Sequence, residues 1–275
     1  MRVFVSIDLE GVAGVSDRRQ VNRGTDDFEH ARTLMAGEAN AVARGAFDAG
    51  ADTVVVNDSH GDLCNLRPGD LDDRVLLQIG SGKSPHGMIF RADTGFDAAL
   101  FVGYHARAGT AGGVLEHSYS STTVAEIRVN GDPWGETELN AAVVGSYGIP
   151  VALVAGDDLV CEQARAMLPA TRVVAVKQAL GYRAARSVSP AVAQARLEQA
   201  ARECLGVTLP EPFCPPGPFR LEMDFVTTAM AEAAAVLPGT ARASSRSVVV
   251  DAPSIDALAR YRGVLTTLAA TALAG

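Results

Sequence analysis

An α/β fold, a mostly parallel sheet with helices on both faces plus a smaller C-terminal α+β lobe, is predicted by three features of the 275-residue sequence. Five short valine-rich apolar runs each end in polar residues, the pattern of strands covered on both faces. Stretches with helical spacing lie between them, in the order that builds repeated βαβ units. Glycine is plentiful, at 27 residues, while aromatics make up only 5%, which suits close helix packing and tight βα turns better than an aromatic-rich sandwich.

The predicted strands are RVFVSID (2–8), TVVVNDS (53–59), AALFVGYH (98–105), VALVAGDD (151–158) and RVVAVKQ (172–178). Between the first two, Phe28, Ala31, Leu34, Met35, Val42 and Phe47 recur at three-, four- and seven-residue intervals before Gly50, an amphipathic crossover helix with a glycine stop. Further helices are predicted over 136–147 and 159–168, and EIRVNGDPW (126–134) reads as a strand and tight turn. From about residue 185 the texture changes. An alanine-rich helix opens at Ser189-Pro190, EPFCPPGP (211–218) reads as a rigid connector, and then come FRLEMDF, a helix around 226–236, SRSVVVDA and a last helix over 254–273. The expected division is an α/β catalytic domain over 1–185 and an α+β lobe over 186–275 packed on it.

Composition narrows the function classes. With 48% hydrophobic residues the chain can bury a substantial core. A net charge of −8 and the lack of a basic run argue against a nucleic-acid partner. The four cysteines, Cys64, Cys161, Cys204 and Cys214, form no Cys-x-x-Cys pair, so neither a thiolate zinc knuckle nor a dense disulfide framework is expected. No apolar run reaches the ~18 residues that span a bilayer, and no secretory signal precedes the first strand, so a cytoplasmic protein without a membrane partner is expected.

Ligands of parallel sheets bind beyond the carboxyl ends of the strands, and there this chain carries unusual residues. The first run ends in Asp8 and Glu10, the second in Asn57, Asp58, Ser59 and His60, the third in Tyr104, His105 and Arg107. Asp8 and Glu10, two apart on an extended segment, are expected to point to one side. With His60 and His105 they make two oxygen and two imidazole donors at one sheet edge, a set suited to zinc or another divalent transition metal. A single strand-end acid is more often a turn or cap residue, the role expected of Asp58 and Asp157. His30, within a helical pattern, and His86, in a Ser-Gly-Pro loop, are assigned structural roles. Glu136, in a first helical turn, reads on its own as a dipole partner, and His117 lies in a polar stretch after glycines.

Taken together, SIDLEG (6–11), VNDSH (56–60), GYHARA (103–108), HS (117–118), GETELNA (135–141), PVALVAGDD (150–158) and AVKQ (175–178) resemble, in order, the zinc-dependent D-aminopeptidases of the DppA type. The resemblance runs from residue 1 into the C-terminal lobe, where it weakens. It implies two zinc ions per chain, with Asp8 bridging them, Glu10 and His105 completing one site and His60 and Glu136 the other. Three carboxylates and two neutral imidazoles would leave two Zn2+ ions one unit of positive charge, which a bridging hydroxide would neutralise. It also implies that His117 is catalytic, a proton shuttle beside the zinc-activated hydroxide. The reaction so implied is hydrolysis of the N-terminal amide bond of short peptides with D-amino acid N-termini, in a homo-oligomer that is a decamer. Two departures stand out: Glu116 precedes His117 where the family has a small residue, and the loop from His105 to His117 is one residue longer.

The rival reading is a haloacid-dehalogenase-like, Mg2+-dependent phosphohydrolase with Asp8 as nucleophile, suggested by SIDLEGV and VAGDD. It leaves His60, His105 and His117 without a role. A non-enzymatic metal- or peptide-binding module would have little use for His117.

Overall fold

The computed structural model describes residues 1–273. In chain order its strands and helices are β1 (Arg2–Ile7), α1 (Arg18–Val21), α2 (Asp26–Asp48), β2 (Thr53–Asp58), β3 (Leu76–Gln78), β4 (Ala98–Tyr104), β5 (Val124–Val129), β6 (Asp132–Pro133), α3 (Glu136–Ser146), β7 (Val151–Asp157), α4 (Asp158–Met167), β8 (Arg172–Gly181), β9 (Ala184–Ser187), α5 (Pro190–Leu205), β10 (Phe219–Phe225), α6 (Thr228–Ala234), β11 (Thr240–Arg242), β12 (Ser247–Ala252) and α7 (Ile255–Ala270).

A seven-stranded sheet runs in the order β3-β2-β1-β4-β7-β8-β9. Every neighbouring pair in it is parallel except β8 and β9, which form a hairpin. Alternation along β1 sends Val3, Val5 and Ile7 to one face, against Phe28, Met35 and Val42 of α2 and Leu197 of α5. It sends Phe4 to the other, which packs on α3, α4 and the elements of the second sheet. The helices open on side-chain caps where the sequence has them: Thr25 for α2, Asp157 for α4, Ser189 for α5 and Ser254 for α7.

The second sheet is antiparallel, in the order β11-β12-β10-β5-β6. Its strands alternate, with Leu221, Met223, Phe225, Val248 and Val250 turned inward against α6 and α7. The layers therefore do not divide at residue 185. β5 and β6, from 124–133, belong to the second sheet, and α5, expected with the C-terminal lobe, packs on α2 against the first. This difference positions the site: because β5 and β6 sit in the second sheet, the helix that follows them, α3, enters the first layer from outside it.

No helix among the described residues is long and apolar enough to cross a membrane. All four cysteines are free.

Candidate metal centre

β2 lies on one side of β1 and β4 on the other, so the chain reverses its winding direction at β1, and a crevice opens there beyond the strand ends. Asp8 follows β1 directly. The backbone N–H of Asp8 donates to the Val102 carbonyl at 2.9 Å and that of Gly11 to the Gly103 carbonyl at 2.8 Å, tying the turn after β1 to the end of β4. Gly103 has φ +67°, and a Cβ there would lie 2.1 Å from the Asp8 carbonyl oxygen, so only glycine allows this approach. The strand ends at Ile7 and residues 9–13 form a turn, so Asp8 and Glu10 meet through that turn and not through strand alternation, as the spacing had suggested.

His60 lies two residues past β2, whose end is tied across by the Ser59 N–H donating to the Ile7 carbonyl at 2.8 Å. His105 follows β4. Glu136 is the first residue of α3, buried rather than a solvated dipole partner. His117 sits on the loop between β4 and β5, where Leu115 takes a left-handed φ of +51° and its N–H donates to the Tyr182 carbonyl of the β8-β9 turn at 2.9 Å.

Six side chains converge. His60 Nδ1 lies 2.8 Å from Glu10 Oε2 and 3.3 Å from Asp8 Oδ1. His105 Nε2 lies 3.5 Å from Asp8 Oδ2 and 3.4 Å from Glu136 Oε2. His117 Nε2 lies 3.8 Å from Glu136 Oε1. The two Asp8 oxygens thus face different histidines, and Asp8 stands between two donor groups: Asp8, Glu10 and His60 on one side, His105, His117 and Glu136 on the other. By proximity Glu10 goes with His60 and Glu136 with His105, the reverse of the division that the resemblance implies.

The imidazoles are oriented from behind. The nitrogen of each ring that points away from the acids meets a main-chain carbonyl: His60 Nε2 that of Val21 at 2.8 Å, His105 Nδ1 that of Ala106 at 3.0 Å, His117 Nδ1 that of Leu115 at 2.9 Å. Donation there turns the other nitrogen toward the carboxylates, where it becomes a lone-pair donor once its proton is displaced, the arrangement that metal-ligating histidines adopt. His105 Nε2 is buried without a hydrogen-bond partner and is aimed into the cluster.

Three buried carboxylates also demand positive charge. Burial, and then Glu10, raise the pKa of Asp8 to about 7. For His60 burial opposes the charged form, but Glu10 and Asp8 outweigh it and hold the pKa well above the usual value; Glu136 does the same for His105. Burial would raise Glu10 and Glu136 as well, yet His60 and His105 respectively hold them low. His117 is shifted down, first by burial and then by His105. Without a metal the cluster retains protons to offset its charge, and divalent cations at these positions would displace them. The donor set fits zinc.

The remaining sequence assignments fall away from the centre. Asp58 accepts from the Leu66 N–H at 2.7 Å and Asp157 caps α4. His30 is exposed, and His86 pairs with Asp256 at 2.7 Å. Glu116 accepts from the Gly109 N–H at 2.7 Å. One supporting residue was not singled out from sequence. Lys177, buried on β8, donates to the carbonyls of Glu10, Val12 at 3.0 Å and Val15 at 2.6 Å, holding the turn that carries Glu10. A lysine inside an otherwise apolar run, RVVAVKQ, was the available signal.

Comparison with known proteins gives the family. The sequence matches the D-aminopeptidase family, peptidase M55, over residues 1–263. A D-aminopeptidase of Bacillus subtilis (strain 168) is 36% identical over 266 residues, which cover 96% of each chain. The solved structure of the Zn-dependent D-aminopeptidase DppA from Bacillus subtilis, described as a self-compartmentalizing protease, superposes with a TM-score of 0.93 at 35% identity, covering 98% of each chain.

Proposed function

The chain belongs to the D-aminopeptidase family, peptidase M55, and from that premise we propose that it cleaves the N-terminal amide bond of short peptides beginning with a D-residue, using two zinc ions held around Asp8. The observation that carries the reading is the set of three imidazoles, each anchored at one nitrogen by a main-chain carbonyl and turning the other toward buried carboxylates.

Asp8, Glu10, His60, His105 and Glu136 would hold the metals, with Asp8 as the shared ligand because its two oxygens face His60 and His105. When bound, zinc supplies Lewis-acid polarisation of the scissile carbonyl and a nucleophilic water at neutral pH. His117 is the group left to move protons. Its Nδ1–H is held by the Leu115 carbonyl, and burial and His105 favour its neutral form, so Nε2 is free to take the proton released on attack and return it to the departing amine. Stacking on His105, with ring centroids 4.2 Å apart, fixes the imidazole plane for that transfer.

The centre opens into a cavity of about 970 Å³, lined by Asp8, Glu10, His60, His117 and Glu136 at its floor and by residues of α7 at its rim. That volume suits a peptide of a few residues and excludes a folded chain. The relative is described as a self-compartmentalizing protease, which supports a homo-oligomer here, and the size proposed for it is the decamer that the family resemblance implies. Sedimentation of the purified protein tests this: a mass ten times that of the chain is expected, and a monomer would refute it.

The test of the activity is hydrolysis of D- and L-aminoacyl amides and dipeptides with and without chelator. Turnover of D-substrates that chelation abolishes and zinc restores is expected. Turnover of L-substrates alone would remove the D-specificity, and chelator-insensitive turnover would remove the zinc.

A further inference from the structure

Four cationic side chains line the cavity, and three of them are engaged. Arg18 donates to the Tyr182 hydroxyl at 3.2 Å, Lys83 to Asn57 Oδ1 at 3.0 Å, and Arg260 pairs with Asp256 at 2.7 Å. Arg262 on α7 is different. Its guanidinium carbon lies 3.7 Å from the centre of the Tyr119 ring, and its Nε is buried with no hydrogen-bond partner among the described residues. A guanidinium presents a planar fork of donors, and one that lines a cavity with no carboxylate partner among the described residues is set for a planar anion.

Tyr119 also ties Arg262 to the centre. The backbone N–H of Tyr119 donates to Glu136 Oε1 at 2.6 Å while its ring carries the guanidinium, so a single residue spans from a proposed zinc ligand to the free cation. Two extended residues reach about 7 Å, so a ligand that joins the acidic floor to this rim is a very short peptide. Its charges would match the cavity: an amine toward the carboxylates of the floor, a carboxylate toward Arg262. Ser120 and Thr122 line the same cavity, and their hydroxyls, 3.2 Å apart, share one hydrogen bond and leave one donor for that carboxylate.

We propose that Arg262 binds the C-terminal carboxylate of the substrate and so selects free dipeptides over longer or C-terminally blocked peptides. This rests on the aminopeptidase reading and adds a specificity residue to it. The stacking ring holds the fork in place, so that little side-chain entropy is lost when the anion binds.

The experiment compares kcat/KM for D-alanyl-D-alanine and D-alanyl-D-alanine amide in the wild type, in Arg262→Met and in Arg262→Lys, each loaded with zinc. The wild type is expected to favour the free acid by about tenfold or more, and Arg262→Met to collapse that ratio through KM of the acid, with partial recovery in Arg262→Lys. A wild type that does not favour the acid overturns the proposal without any variant, as does a ratio that survives in Arg262→Met. D-alanyl-D-glutamic acid α-amide separates the two sources of carboxylate: a loss confined to that substrate would assign Arg262 to an acidic side chain and contradict the proposal. If the zinc-loaded wild type cleaves neither dipeptide nor amide, the aminopeptidase reading itself fails, an outcome distinct from cleavage of both without preference.

Discussion

The imidazole of His117 lies over that of His105, with ring centroids 4.2 Å apart and planes 12° from parallel. The two rings nonetheless have different surroundings. His105 is buried between Asp8 and Glu136, whereas His117 meets only Glu136 and at 3.8 Å, so the account makes the first a ligand and the second a proton carrier. His117→Ala should keep its zinc and lose about 10²–10⁴-fold in kcat. Metal analysis beside the assay checks this, and loss of zinc from the variant would make His117 a ligand instead.

The protonation of the cluster predicts how zinc and pH act together. In the metal-free fold the pKa of Asp8 is raised to about 7, so between its unfolded value near 4 and about 7 the folded chain holds a proton that the unfolded chain has lost. Stability of the metal-free protein should therefore fall as pH rises through that window. The raised histidines His60 and His105 continue the trend above their unfolded value. Zinc replaces these protons, so the rise in Tm on adding zinc should be larger near pH 8 than near pH 5. Thermal melts of chelated and zinc-loaded protein measure it; a zinc effect that shrinks with rising pH would contradict the charge balance described for the site.

Lys177 satisfies three carbonyls of the turn that bears Glu10, and burial lowers its pKa to about 8. Lys177→Met removes those donors and leaves buried carbonyls unpaired, at about 2 kcal/mol or more. Urea unfolding should show that loss, and zinc affinity should drop with it because Glu10 is released. Unchanged zinc affinity in a destabilised variant would limit Lys177 to a structural role.

Gly103→Ala is expected to do more damage than its size suggests. The methyl group would overlap the Asp8 carbonyl at 2.1 Å in a left-handed conformation, which costs a non-glycine residue about 1–2 kcal/mol before the overlap is counted. The end of β4 and the turn after β1 must then separate, so both Tm and zinc content should fall. A variant that melts like the wild type with full zinc would show that the approach of the two strand ends is not needed.

Much of this was legible in the sequence, for reasons that differ by element. The runs at 2–8, 53–59, 98–105, 151–158 and 172–178 are strands because buried parallel strands must be apolar on both faces, which leaves an unmistakable pattern. Asp8, Glu10, His60 and His105 could be singled out because polar residues closing such runs stand at the sheet edge where ligands bind. Glu136 could not: an acid opening a helix has a simpler explanation, and only the fold shows that α3 enters from the second sheet with this residue buried. The layers were harder still, since β5 and β6 look the same in sequence whichever sheet they join. Lys177 was marked only by its place inside an apolar run, because its partners are main-chain carbonyls, which no side-chain pattern reports.

Zinc titration of the metal-free protein, followed by calorimetry, tests the central claim most directly, that these five residues form one centre for two metals. The account predicts two zinc ions per chain for the wild type, and fewer than two for Glu136→Gln and for His60→Ala. A single zinc per chain in the wild type, or two retained when Glu136 and His60 are replaced together, would contradict it.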